Sequence, residues 1–442
     1  MTTAIPLDPA LERPSWRESA VVMIGLSVLF LVIYNATNYF TSIRTEVPSF
    51  YFSWERHIPF VSYMIVPYMS VDLFFVAAPF ICTERRELTI LTKRIALAIL
   101  VAGIFFILFP LKLAVERPIA AGWTGAIYNW FSGMDLPYNL CPSLHIALRT
   151  ILADLYGRHT RGLTNFASHF WFSLIGFSTL LLYQHHLIDI VGGFILATFC
   201  FYLVRDTPLK LPVQSNYRVG LYYGIGTGLL CLLGYVTYPW GVLLIWPAVA
   251  TGLVCAGYFY WGPGVFRKSA GQIPLTTRII LGPVLWGQYL SWVYYRRQCQ
   301  PWDAVNESVW IGRRLTDQEA EQATAQGVMA VVDLSIAFSE AAAFRNVAYH
   351  HVPVLDLTAP SIDQLEKTID FIRKHAENGL VYIHCKIGYS RSAAVVGAYL
   401  LAENLVESPE AAIQYLRTIR PSIVIRPEAE QAIFEYDSHR KK

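Results

Sequence analysis

Long apolar runs and one later change of pattern divide this chain before any single residue is considered. Crossing a bilayer takes roughly 20 mostly apolar residues. Runs approaching that length fall at about 20–40, 58–82, 95–115, 143–157, 167–183, 187–204, 218–238 and 241–262. They predict a polytopic α-helical membrane domain of about eight spans over 1–262. The fourth run is short and interrupted by Arg149 and Asp154. The first ends in "YNATNYF" rather than at a small-residue processing site, so a retained span is expected. From 301 onward the runs shorten. "VYIH" is a β-branched and aromatic stretch suited to a buried strand, and "SAAVVGAYLLAEN" reads as a helix. "SIDQLEKTIDFIRKH" is amphipathic, with Asp363 and Asp370 on its solvated face. A soluble domain over 301–442 is expected.

Composition sharpens the division. Of 442 residues 54% are hydrophobic and only 15% charged, against about a quarter in soluble domains. The net charge of +3 is small and no basic patch interleaved with aromatics stands out, which argues against a nucleic-acid partner. Seven cysteines (82, 141, 200, 231, 255, 299, 385) show no paired spacing, so neither a disulfide framework nor a zinc site is indicated. Basic residues set the orientation. With Arg13 and Arg17 inside, inner loops carry Arg85, Arg86, Lys93, Arg94, Arg158, Arg161, Arg205, Lys210, Arg218, Arg267 and Lys268. Outer loops keep only Arg44, Arg56 and Arg117, with Lys112 near a span end. An integral protein of a bacterial-type inner membrane, with both termini cytoplasmic, is expected; a catalytic thiol there stays reduced.

Between the two parts, 263–300 forms a basic, aromatic linker. From Phe266 to Arg297 it has five basic residues and no acidic one, together with Trp286, Tyr289, Trp292, Tyr294 and Tyr295. That mixture suits a helix lying among anionic headgroups, a ninth span or scaffold helix being the alternative.

Two constellations carry chemistry. In "CPSLHIAL" and "STLLLYQHHLIDIVGG", His185 and Asp189 stand four apart on one helical face, and His145 opens another helix. Arg117 in "LKLAVERP" falls on the same outer face. An imidazole nucleophile, a second imidazole as acid and a guanidinium clamp suit phosphoryl transfer. His186 has no such role, and Asp72 within a span reads as an interhelical hydrogen-bonding group. The stretch 95–205 resembles the type 2 phosphatidic acid phosphatase superfamily, with a six-helix core. The resemblance implies His185 as nucleophile, Asp189 as its orienting carboxylate, His145 as acid, and Arg117, Lys112 and Ser143 as phosphate-binding. Leu144 in place of the usual Gly, and Ser178-Thr179 in place of Ser-Arg, look like the inositol phosphorylceramide synthase branch, so hydrolysis and headgroup transfer both stay open.

The second constellation is "HCKIGYSRSA". Cys385 and Arg391 bracket a loop between the strand and a helix N-terminus, where converging N–H groups bind phosphate and lower the thiol pKa. Arg391 can grip two phosphate oxygens, Gly388 permits the turn, and Ser392 can hydrogen-bond the sulfur as it leaves. Asp356 in "HVPVLDLTAPS", 29 residues before Cys385, is the candidate acid; Asp333 lies in a strand-like run and reads as structural. Residues 302–435 resemble the dual-specificity branch of the protein tyrosine phosphatases, an α/β cysteine-phosphatase fold. In that resemblance "PWDAVNESVWIGRRL" is an opening strand, "GVMAVVDLS" a core strand and "IRPSIVIRPEAEQ" the closing segment. Lys386 adds a phosphate-binding cation, and "HCKxGxSRSA" with "DLTAPS" resembles the phosphatidylglycerophosphate phosphatase group, although Tyr389 departs from it.

The expected protein is thus a two-site membrane phosphatase acting on phospholipid phosphates, with no cofactor or metal at either site. A membrane-anchored phosphatase of phosphoproteins is the alternative, and a non-catalytic lipid receptor a third.

Overall fold

The computed structural model describes residues 12–206, 216–237 and 240–442. Lys210 and the end of the run 218–238 lie outside them. Contacts divide the chain into two compact units, Met1–Pro208 and Leu209–Lys442.

The first unit is helical: α1 (Trp16–Ser42), α2 (Ile65–Ile81), α3 (Arg85–Leu108), α4 (Gly122–Met134), α5 (Leu144–His159), α6 (Gly162–Leu181) and α7 (Leu187–Leu203). Ser15 and Glu18 form a capping box that starts α1. Along α1, Val21, Ile24, Val28, Leu31 and Val32 are exposed, a larger apolar face than water-soluble surfaces carry. The interior joins Ile95, Ala98, Ile99 and Ala102 of α3 to Ala147, Ile151 and Leu152 of α5. Polar residues in the fourth run are neutralised locally: Asp154 pairs with Arg158 at 2.8 Å and with buried Arg94 at 3.4 Å. The short α4 was not foreseen, because its 13 residues fall below any span length.

Among the described residues, five helical stretches are long and apolar enough to cross a membrane: Trp16–Ser42, Ser62–Ile81, Arg85–Leu108, Tyr217–Val236 and Gly241–Phe266. The other three expected spans coincide with α5, α6 and α7. Of these, α7 is apolar but has only 17 residues.

The second unit opens with α8 (Tyr217–Val236) and α9 (Ile245–Ala256), the latter extended by a π-helical turn, Gly257–Trp261. Composition assigns these two helices to the membrane domain, whereas contacts group them with the phosphatase-like part. The linker breaks into α10 (Leu275–Ile280) and α11 (Gly282–Tyr295), with Pro283 in the first turn of α11. Trp292, expected among interfacial aromatics, is buried instead against Phe338 and Ile387, and its Nε1 donates to Arg314 O at 3.1 Å. Trp286, Leu290 and Tyr294 stay exposed.

There follow β1 (Trp302–Ala304), β2 (Val309–Arg313), α12 (Asp317–Ala325), β3 (Val328–Asp333), β4 (Ala348–His351), α13 (Ile362–Ala376), β5 (Leu380–Cys385), α14 (Ser390–Ala402), α15 (Pro409–Ile419) and α16 (Pro427–Arg440). The sheet order is β1-β2-β5-β3-β4, antiparallel only between β1 and β2. The opening stretch is therefore a hairpin rather than one strand. Its turn is closed by Asn306, whose Oδ1 accepts from Ser308 N at 3.0 Å. Strand β5 is central, and Val381, Tyr382 and Ile383 are fully buried, as a parallel strand covered on both faces requires. Its C-terminal end carries Cys385, opposite Arg313 of β2.

Candidate active site

The loop from Cys385 to Arg391 joins the end of β5 to the start of α14. Gly388 turns it with φ +76°, and a Cβ there would lie 2.5 Å from the Gly312 backbone, so no side chain fits. Behind the loop lies Arg420, fully buried. Its Nε donates to Gly388 O at 3.1 Å and one Nη to Ile387 O at 3.3 Å, while Asp303 neutralises it. Holding those carbonyls backward leaves the loop's N–H groups facing the cleft. The sequence offered no signal for Arg420, because its partners come from two distant segments, 300–303 and 387–388.

Cys385 Sγ lies 3.5 Å from Ser392 Oγ. Burial pushes the thiol up, but Arg391, the Ser392 hydroxyl and the N–H groups of Ser392 and Ile387 outweigh it and bring the thiol down to about 7. A substantial thiolate fraction at neutral pH follows. Arg391 is buried and pre-aimed: one Nη donates to Leu334 O at 3.2 Å and Val354 O at 3.1 Å, the other to Asp356 Oδ1 at 3.0 Å.

Asp356 thus reaches the loop that the sequence assigned it to. Its second oxygen accepts from Lys386 Nζ at 2.9 Å. Burial pushes this carboxyl up, yet Arg391 and Lys386 prevail and hold it well below the usual carboxylate range. The carboxylate thus bridges the guanidinium of Arg391 and the ammonium of Lys386. The cleft above is about 290 Å³, bounded by the loop, Asp356, Ser291 and Tyr295 of α11, and Arg426.

Asp333 is structural, as expected. It is fully buried, paired with Lys268, and accepts from Tyr349 Oη and Ser335 Oγ at 2.8 and 2.7 Å. Beside it His384 binds Glu340 at 2.8 Å. Burial pushes the His384 imidazole down, but Glu340 and Asp333 prevail and raise it. Asp333, Glu340 and His384 converge closely enough for a metal ion, but the Lys268 ammonium already supplies the cation. Glu340 and Lys268 were not legible as partners in the sequence. Asp363 and Asp370 are exposed on α13, as expected.

In the first unit, His185 Nδ1 lies 3.5 Å from Asp189 Oδ2. Asp189 Oδ2 also accepts from His186 N at 2.8 Å, closing the start of α7. His145 stacks on Tyr68 with ring centroids 4.3 Å apart. Ser143 caps α5 and is fully buried, and its N–H donates to Asp189 O at 2.9 Å, which ties the two motif segments together. Arg117 is held by Asp135 at 3.0 Å and Gln184 at 2.8 Å. Lys112 is exposed, and its backbone N–H donates to Pro48 O. His186 is engaged structurally, by Glu55 at 3.1 Å and the Ala114 N–H at 3.1 Å. Arg149, one turn beyond His145 and missed as a site candidate, reaches α6 beside Gly176. His145 Nε2, Arg149 Nε, His185 Nδ1 and Asp189 Oδ1 are buried polar atoms without a hydrogen-bond partner.

Residues 309–439 match the family model described as dual specificity phosphatase, catalytic domain. The matched region does not extend to the segments carrying His145 and His185. Among curated proteins the chain is similar to phosphatidylglycerophosphate phosphatase PTPMT1 of Arabidopsis thaliana, 28% identical over 142 residues, 30% of this chain and 42% of the relative. It is 44% identical over 75 residues to phosphatidylglycerophosphatase and protein-tyrosine phosphatase 1 of Homo sapiens, covering 16% of this chain and 37% of that protein. To the tyrosine-protein phosphatase CDC14 homolog of Schizosaccharomyces pombe it is 30% identical over 106 residues, 24% and 20% of the two chains. The chain therefore spans less than half the length of each of these relatives. A solved structure of PTPMT1 is 26% identical, covers 31% of this chain and 94% of its own, and has a TM-score of 0.28. The C-terminal part of the chain is a dual-specificity-phosphatase-type α/β domain.

Proposed function

We propose that this protein is a membrane-bound phosphomonoesterase whose Cys385 domain dephosphorylates a phospholipid headgroup. The observation that carries the reading is the convergence of Cys385, Arg391, Lys386 and Asp356 in one cleft, with the thiol brought down to about 7. The Cys385 thiolate attacks phosphorus, forming an S–P bond as the P–O bond to the leaving alcohol breaks. The Asp356 carboxyl gives its proton to the departing oxygen. Water then attacks the phosphocysteine, Asp356 takes its proton, and the S–P bond breaks to yield phosphate and thiolate. Asp356 must be protonated for the first step. Phosphate entering the loop draws Arg391 and Lys386 to itself, and a dianion beside the carboxylate raises its proton affinity.

A lipid substrate is favoured by Lys386, by the names of two of the relatives, and by apolar helices in the same unit as the cleft. Insertion in a membrane with both termini cytoplasmic completes the proposal, and a composition-based division at 1–262, 263–300 and 301–442 accompanies it. The alternative, phosphoprotein hydrolysis, draws on the tyrosine-phosphatase relative.

One observation favours a second centre in the first unit. Buried polar atoms of His145, Arg149 and Asp189 have no hydrogen-bond partner and His185 Nδ1 meets only Asp189 at 3.5 Å, an arrangement costly to bury unless a ligand meets it. With His185 as nucleophile, they would fit lipid phosphate hydrolysis or headgroup transfer. Phosphate release by the full chain in lipid micelles tests both centres. The substrates are phosphatidylglycerophosphate, phosphoinositides, phosphatidic acid and a phosphotyrosine peptide. Lipid turnover lost with Cys385→Ser supports the first proposal, and turnover confined to the peptide rejects its lipid part. A residual lipid activity that survives Cys385→Ser and disappears with His185→Ala supports the second centre; no such activity, by hydrolysis or transfer, removes it.

A further inference from the structure

The acid loop is held by residues outside the dual-specificity-type domain. Asp356 and Leu357 form a turn without regular structure, and Leu357 sits at φ +58°, a conformation unfavourable for a side chain of its size. Such a turn needs outside support to persist. Two successive carbonyls receive it from two different helical segments. Tyr258, in the π-helical turn after α9, is buried and donates its hydroxyl to Asp356 O at 2.8 Å. Asn216, capping α8, donates Nδ2 to Leu357 O at 2.7 Å. Tyr223 of α8 stacks on Tyr258 at 5.9 Å, which joins the two supports. On the opposite side Gln288 of α11 accepts from Lys386 Nζ at 2.8 Å, and the same ammonium donates to Asp356.

We infer that the helices preceding the phosphatase-type domain form a clamp that holds its general-acid loop closed over the phosphate loop. Asn216, Tyr258 and Gln288 are its positioning residues. None of them touches the reacting atoms. Their effect passes through Asp356: a carboxyl fixed over the loop delivers its proton along one path, whereas a loop released into solvent samples many. Catalysis that depends on proton delivery would then require residues 216–295. This inference rests on Asp356 being the acid.

The dependence on leaving group tests it. An alkoxide leaves only if it is protonated, whereas 4-nitrophenolate leaves with little help. Full-length protein in detergent is assayed with dioctanoyl phosphatidylglycerophosphate and with 4-nitrophenyl phosphate. Tyr258→Phe, which removes one hydroxyl, is expected to raise the aryl-to-alkyl ratio of kcat by about tenfold, the order of one lost hydrogen bond. Asn216→Ala acts in the same direction. On an Asp356→Asn background neither change alters the ratio further, because the proton donor is already gone. Parallel losses on both esters, or additive effects on the Asp356→Asn background, overturn the clamp; the aryl ester also reports whether each variant is folded. If the wild type cleaves neither ester, or Cys385→Ser retains cleavage, the phosphatase reading itself falls and the clamp with it.

Discussion

Replacing Lys268 with Met removes one charge from a fully enclosed pair while keeping the length of the side chain. Lys268 and Asp333 side chains are 1% and 0% exposed. Water therefore cannot enter to compensate the carboxylate left behind. Asp333 would keep its hydrogen bonds from Ser335 and Tyr349 but lose its nearest counter-charge, leaving His384, 3.8 Å away and already bound to Glu340. Breaking a buried pair from one side costs about 3–5 kcal/mol. Urea unfolding of this unit, with a slope of ~2–3 kcal/mol/M, would then show a midpoint lower by about 1–2.5 M. The variant Lys268→Met/Asp333→Asn should recover about half of that loss, because the stranded charge is gone. The pH dependence has a definite sign. Burial raises the Asp333 pKa, but Lys268 and His384 outweigh it and hold it well below its unfolded value. Its stabilising contribution is therefore present above the unfolded value of about 3.9 and is lost as pH falls through the folded one. In Lys268→Met the folded value rises, so the cost relative to wild type shrinks on acidification. A loss below about 1 kcal/mol at neutral pH, the range of a solvated surface pair, would refute the reasoning.

Four further outcomes are expected. With the Cys385 thiol near 7, kcat/KM on an aryl phosphate should climb with pH up to about that value, since the thiol below it is protonated and inert. Ser392→Ala removes a hydrogen bond to the sulfur and should move that limb to higher pH by roughly one unit; an unmoved limb would show that Ser392 does not stabilise the thiolate. Asp356→Asn should lower kcat on an alkyl phosphate by about 10²–10⁴ while sparing binding of vanadate, and a change confined to KM would deny it the acid's role. Gly388→Ala, which must adopt φ +76° against the Gly312 backbone, should destabilise the loop by about 1–3 kcal/mol and abolish vanadate binding; calorimetry and vanadate titration on one sample decide it.

Residue type and local spacing were enough to read much of the catalytic loop. A strand, a seven-residue loop from Cys385 to Arg391 and a helix N-terminus are contiguous in the chain, so their geometry is local. Asp356 was legible because its loop has a characteristic distance from the cysteine. The amphipathic α13 and the apolar helices follow from periodicity and composition, which are also local.

Tertiary structure alone decided the rest. Arg420 lies 35 residues beyond the cysteine, yet it holds the loop's carbonyls from behind. Lys268 and Trp292 read as interfacial because charge and aromaticity are averaged over a segment; burial depends on which face meets Asp333 or Phe338. Likewise Tyr258 belongs by composition to an apolar run and Asn216 to the polar stretch before another, and only folding brings them to the turn at Asp356 and Leu357. A sequence records propensity and pattern over a few neighbouring residues. Which distant donors satisfy a buried carbonyl or carboxylate is fixed only when the elements pack, because that choice is made by distance in space.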